Sequence, residues 1–198
     1  MSFYPPPVSE KFHAPKYVGR AKSANAVGTN ATFVCGAVLR FTLTIDKESK
    51  KITDAKFQTD GCGFLIAAAE VLAEKISGKN LAALHGLDES ILMEQIENEL
   101  GDFPSGRKHC LKLASETLHS AFNDFRAAQI EEWAGEKALI CTCFGVAEER
   151  IEKLVAENSL RTVEAVTDAC NAGGGCGSCR ILIQEIIDSQ EQEARKNF

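Results

Sequence analysis

The sequence has no surplus of positive charge: 22 Lys and Arg stand against 28 Asp and Glu, for a net charge of −6. Bulk electrostatics therefore gives no reason to expect nucleic acid or an anionic membrane as partner. Long apolar runs are also missing; none approaches the roughly 20 residues needed to span a bilayer. The opening stretch "MSFYPPPVSEKF" lacks the charged-then-apolar pattern of an export signal, so the expectation is a cytoplasmic protein. What the chain does have is eight cysteines in 198 residues. Without an export signal, clustered cysteines read as metal ligands or redox groups before structural disulfides.

The length permits one large domain or two smaller ones. Pro5, Pro6 and Pro7 predict a stiff, extended start with no helical content. Over residues 37–45, Ala37, Leu39, Phe41, Leu43 and Ile45 alternate with Val38, Arg40, Thr42 and Thr44, the pattern of a half-buried strand. "DKESKK" is a polar turn and "ITDAKFQT" a second strand. The period then becomes helical. "FLIAAAEVLAEKIS" stops at Gly78, and "DESILMEQIENEL" runs from an Asp88 N-cap to Gly101. A long helix follows over roughly 107–130, with Leu111, Leu113, Leu118, Phe122 and Phe125 as its apolar side.

"EEWAGEK" breaks this pattern. The expected organisation is an α+β domain over residues 1–130, an antiparallel sheet with helices; a linker over 131–138; a small helical domain over 139–190; and a charged tail over 191–198. In the second domain "AEERIEKLVAEN", "VEAVTDACNA" (capped by Thr162) and "RILIQEIIDS" are short helices, and "QEQEARKNF" is expected to fray. About fifty residues make a thin core, and domains of that size often need a metal or a disulfide.

Cys141 and Cys143 form C-x-C, Cys176 and Cys179 form C-x-x-C, and 32 residues separate the pairs. Four thiolates delivered as two local pairs can hold zinc or an iron–sulfur cluster. Gly173, Gly174, Gly175 and Gly177 let the backbone approach an inorganic core and leave amide hydrogens to point at sulfur. A structural zinc knot is the rival that spacing leaves open. Cys170, six positions before Cys176, reads as a packed helix thiol.

Three further cysteines are scattered: Cys35 at the start of a strand, Cys62 between a strand and a helix beginning near Phe64, and Cys110 after His109 at a helix start. Helix N-termini favour reactive thiolates. Should the fold gather these ends at one tip, the site has three sulfurs and one imidazole. Taken singly, each is equally readable as a buried thiol, and His109 as a helix-end group.

Two resemblances sharpen this. "CTC" followed by "AGGGCGSC" resembles the bacterioferritin-associated ferredoxin type of domain. That is a small helix-turn-helix unit whose [2Fe-2S] cluster is held at positions matching Cys141, Cys143, Cys176 and Cys179. "KFHAPKYVG", "FVCGA", "TDGCG", "KISGK" and "RKHC" occur in the order found in the IscU/NifU iron–sulfur scaffold family. With the second domain appended, residues 4–190 resemble its NifU type. The resemblance implies an assembly site at Cys35, Cys62 and Cys110 with His109 beside them, and it matches Tyr4 to an N-terminal tyrosine. It also implies iron–sulfur cluster assembly in the setting of nitrogen fixation. Three departures stand out. The family's Cys-Gly-Asp reads Cys-Gly-Ala here, so Ala37 replaces a labile aspartate and implies a longer-lived cluster. A chaperone-recognition Leu-Pro-Pro-Val-Lys is replaced by "FPSGR", Phe103 to Arg107. The further C-terminal domain with its own C-x-x-C does not follow.

The resulting expectation is a scaffold rather than a turnover enzyme. It builds a transient cluster from iron and sulfide delivered by a cysteine desulfurase and passes it to apo iron–sulfur proteins. A permanent [2Fe-2S] cluster serves electron transfer, and the chain forms a homodimer. Two rivals remain: a ferredoxin module with a docking domain, and a structural protein holding zinc, the metal that could also fill the first site in isolated protein.

Overall fold

The computed structural model describes residues 3–131 and 138–196. The chain divides into two compact units, residues 1–46 with 51–125 and residues 47–50 with 126–198. Residues 132–137, most of the expected 131–138 linker, lie outside the described residues.

The first unit opens with α1, Pro6–His13, which corrects the extended start read from the prolines. Pro6 and Pro7 sit at the first helical positions, where a missing N–H leaves no bond unmade and a fixed φ favours the helix. Only Pro5, at φ −55° and ψ 149°, keeps the extended form. Three antiparallel strands follow, β1 Ala26–Ala31, β2 Val38–Ile45 and β3 Ile52–Thr59, in the order β1-β2-β3. The register sets Phe41 between Gly28 and Phe57. Leu39, Phe41, Leu43 and Ile45 are fully buried, as the alternation required. Each such side chain is worth about 1.5–3 kcal/mol against leaving it in water. The opposite face is not all solvent: Thr42 is buried, and its hydroxyl accepts the Ala21 N–H at 2.9 Å.

β1 has no counterpart in the strand pattern of the sequence. Its Gly28 explains why. A Cβ there would stand 2.1 Å from the Thr117 carbonyl oxygen and 2.5 Å from the Ala121 nitrogen. The strand is thus pressed against backbone of α4, Lys108–Glu131. Two more helices complete the unit: α2 Gly63–Ile76 and α3 Glu89–Leu100. Asp88 caps α3 by accepting the Ile91 N–H, and Gly101 ends it at φ 81°. Buried Ala67, Ala68 and Ala69 let α2 lie close to its neighbours. A 3-10 turn, Ser105–Arg107, leads directly into α4.

The second unit adds a small ribbon to the expected helices: β4 Leu139–Cys141 pairs antiparallel with β5 Val146–Ala147. Behind it come α5 Glu148–Asn158, α6 Val163–Cys170 and α7 Arg180–Lys196, packed on Ile151, Val155, Val166, Ile183 and Ile187. Thr162 caps α6 by accepting the Ala165 N–H at 3.2 Å. α7 continues through Lys196, over most of the tail expected to fray, and residues 197–198 lie outside the described residues. The Arg161–Glu191 ion pair at 2.7 Å fastens its outer turns.

Candidate functional site

The first constellation is built where two helices begin. Cys62 is the N-cap of α2, at φ −73° and ψ 171°, and Cys110 is the third residue of α4. Their sulfurs lie 3.9 Å apart. His109 brings its Nε2 to 3.6 Å from the Cys110 sulfur, and Arg107 donates from Nη1 to the Cys62 sulfur at 3.9 Å. The two thiols are driven in opposite directions by one shared contact. Hydrogen bonding from Cys110 pulls Cys62 down to about 5, against burial and aided by the backbone N–H groups of Leu65 and Phe64 and the charge of Arg107. That same bond, together with burial, pushes Cys110 up. The shared contact favours the anion at Cys62 and keeps the proton on Cys110.

Cys35 is exposed and stands in the turn between β1 and β2, not at a strand start as the sequence suggested. Gly36, at φ 76°, allows the reversal, which the Gly36 N–H closes onto the Thr32 carbonyl at 2.9 Å. This turn is tied to the Cys62 loop through Asp60, whose carboxylate accepts the Val38 N–H at 2.7 Å. A thiolate at Cys35 is near enough to add to the upward push on Cys110. Asp60 was not singled out in the sequence, though its place in "TDGCG" is a turn signal. Tyr4 also belongs here: its hydroxyl accepts the Gly63 N–H at 3.1 Å, and its ring packs on Phe64 with centroids 5.3 Å apart. The segment Phe103–Arg107 has a local role as well, burying Phe103 against Phe64 at 5.1 Å while Arg107 reaches Cys62.

In the second constellation the thiols pair crosswise between ribbon and loop. Cys143 meets Cys176 with sulfurs 3.4 Å apart, and Cys141 hydrogen-bonds with Cys179. The inner pair, Cys141 and Cys179, is buried; Cys176 is exposed and Cys143 half-buried. Cys176 is drawn down to about 7, first by the Ser178 hydroxyl at 3.2 Å. Burial is the main cause holding Cys179 up, at about 11, and Cys143 above its ordinary value. The loop turns through positive φ at Asn171, Gly173 and Gly177. At Gly173, φ 84°, a Cβ would also crowd Thr167, Arg180 and Ile183. Cys170 stands apart, buried on α6 with its thiol donating to the Val166 carbonyl at 3.2 Å.

Among the described residues no group of three or more His, Cys, Asp and Glu side chains is arranged to hold a metal ion, and the sulfurs meet as pairs. The second donor set nonetheless suits an iron–sulfur cluster: four thiols from two segments, glycine-lined backbone, and a mixture of buried and exposed sulfurs. Among the described residues no helix is long and apolar enough to cross a membrane.

A family model for the NifU-like N terminal domain matches residues 3–132, and one for the BFD-like [2Fe-2S] binding domain matches residues 139–189. A nitrogen fixation protein NifU of Trichormus azollae is 36% identical over 98% of this chain and 67% of its own length. An iron–sulfur cluster assembly scaffold protein IscU of Aquifex aeolicus is 34% identical over 77% of this chain and 94% of its own. In fold alone, the chain is similar to the crystal structure of a nitrogen-fixing NifU-like protein (N-terminal) from Brucella abortus. The TM-score is 0.50 at 16% identity, covering 62% of this chain and 94% of that one.

Proposed function

The chain belongs to the NifU-like N terminal domain family, and on that premise we propose that it is a scaffold for iron–sulfur cluster assembly. Its first unit accepts sulfur and iron, holds the nascent cluster as cargo, and passes it to apo iron–sulfur proteins. The observation that carries this reading is the meeting of the Cys62 and Cys110 sulfurs, 3.9 Å apart where α2 and α4 begin, with Arg107 donating to Cys62. A thiolate held well below its usual range at neutral pH is a ready acceptor for the outer sulfur of a cysteine desulfurase persulfide. Cys35, exposed on its turn, supplies a thiol that a partner can reach, while His109 and Cys110 supply the inner donors. Zinc suits this mixed set too and competes for it.

The second unit holds a permanent [2Fe-2S] cluster on Cys141, Cys143, Cys176 and Cys179; when bound, that group supplies electrons one at a time. The chain's own part is to keep Cys141 and Cys179 from water and to leave Cys176 at the surface. The reading extends to the cytoplasm as site of action, a homodimer as working form, and no turnover chemistry of its own.

The test uses the full chain, a cysteine desulfurase and isotopically labelled cysteine. The wild-type protein is expected to gain sulfane sulfur, and the Cys35→Ala, Cys62→Ala double variant to lose it. Unchanged sulfur acceptance by the double variant overturns the scaffold reading in favour of an electron-transfer module. Metal analysis with a visible spectrum makes the complementary check, since a colourless protein with two zinc ions overturns the iron–sulfur account.

A further inference from the structure

Arg107 and Lys108 are consecutive cations at the entrance to α4, and they do different things. The Lys108 ammonium is paired with Glu97 on α3. Arg107 is half-buried, turned the other way, and donates from Nη1 to the Cys62 sulfur at 3.9 Å. Its backbone is fixed by the 3-10 turn, where its N–H reaches the Pro104 carbonyl at 2.7 Å, and by Phe103 buried just ahead. Among the described residues no ion pair involves Arg107.

We propose that Arg107 holds the anionic sulfur at Cys62, as thiolate before sulfur transfer and as persulfide after it. The assignment rests on the scaffold reading for the transfer itself, and on geometry alone for the contact. In the transfer, the Cys62 thiolate attacks the outer sulfur of a desulfurase persulfide. A new S–S bond forms on Cys62, the old S–S bond breaks, and its electron pair leaves on the desulfurase cysteine as thiolate. The proton of the outer sulfur is lost to solvent, which leaves a persulfide anion on Cys62. Negative charge therefore stays at this position throughout, moving outward by one sulfur. A guanidinium suits that shift, because its fork of donors can serve two adjacent sulfurs and it never loses its charge. A lysine offers charge without the fork. Arg107's charge also helps to lower Cys62, behind the larger effect of the Cys110 hydrogen bond.

The experiment uses the full chain freed of metal at the first site by a chelator, with Arg107→Gln and Arg107→Lys beside the wild type. Iodoacetamide labelling, read residue by residue by mass spectrometry, gives the pH profile of Cys62. Arg107→Gln is expected to move its midpoint up by about half to one unit, slowing labelling at pH 4 roughly three- to ninefold. Arg107→Lys should restore most of the midpoint but leave the Cys62 persulfide shorter-lived than in the wild type. Cys35 is the internal control, and a thermal melt confirms that each variant is folded. An unmoved Cys62 midpoint in Arg107→Gln overturns the assignment, as does an equal slowing at Cys35. Labelling decides the Arg107 contact without any desulfurase. A wild-type chain that takes up no sulfane sulfur overturns the scaffold reading instead.

Discussion

At Cys62 three influences converge on one sulfur: the Cys110 thiol, the amides that open α2, and the guanidinium of Arg107. Because they favour the anion, labelling of Cys62 should persist as pH falls and disappear only through about pH 5. Cys110 is pushed the opposite way and is buried, so it should be labelled last at every pH below its displaced value. The order Cys62 before Cys110 at pH 6, read by peptide mapping, checks this. Equal rates would mean that the two sulfurs do not share a proton. Ala37 supports a second prediction at this scale. It is buried beside the Cys35 turn, at the position where the resemblance implies an aspartate. Ala37→Asp should shorten the lifetime of the assembled cluster and speed its transfer to an apo-acceptor, followed by circular dichroism. Slower transfer would show that the added carboxylate is no labile ligand.

Elements decide how much of this the sequence could announce. Strands β2 and β3 and helices α2, α3, α5 and α6 were legible because alternation, caps and glycine stops act locally, as Asp88 and Thr162 do. The cysteine pairs of the second site were legible for the same reason, since each pair lies within four residues of chain. The first site was legible only through family resemblance. Nothing local tells that Cys62 and Cys110, 48 residues apart, bring their sulfurs to 3.9 Å. β1 was hidden because its reason lies elsewhere: Gly28 is required by the α4 backbone it touches. Gly28→Ala should accordingly cost about 1–3 kcal/mol or more in urea unfolding, as overpacking against backbone that cannot swing aside. A loss below about 0.5 kcal/mol would mean that β1 and α4 yield easily. The roles of Arg107 and Asp60 were not legible because each acts through a tertiary contact, one on a sulfur and one on the neighbouring turn.

For the whole molecule, two units of different construction should respond differently to losing metal. The first has its own apolar core around Phe41, Phe57, Leu65 and Leu111. The second buries less and, with a cluster in place, is cross-linked between its ribbon and its glycine loop. Stripping iron with a chelator under reducing conditions should therefore raise amide exchange in α5, α6 and α7 while β2 and β3 keep their protection. Uniform loss of protection across both units would contradict this division of labour.

The crossing of ribbon and loop also sets a timetable. Cys143 and Cys176, whose sulfurs meet at 3.4 Å, are separated by 32 intervening residues. At a synthesis rate of about 5–20 residues per second, the ribbon emerges roughly two to six seconds before the loop that completes its site. During that interval Cys141 and Cys143 form a two-thiol site open to whatever soft metal the cell offers. Which metal a newly made chain carries then depends on competition during translation as well as on the finished fold.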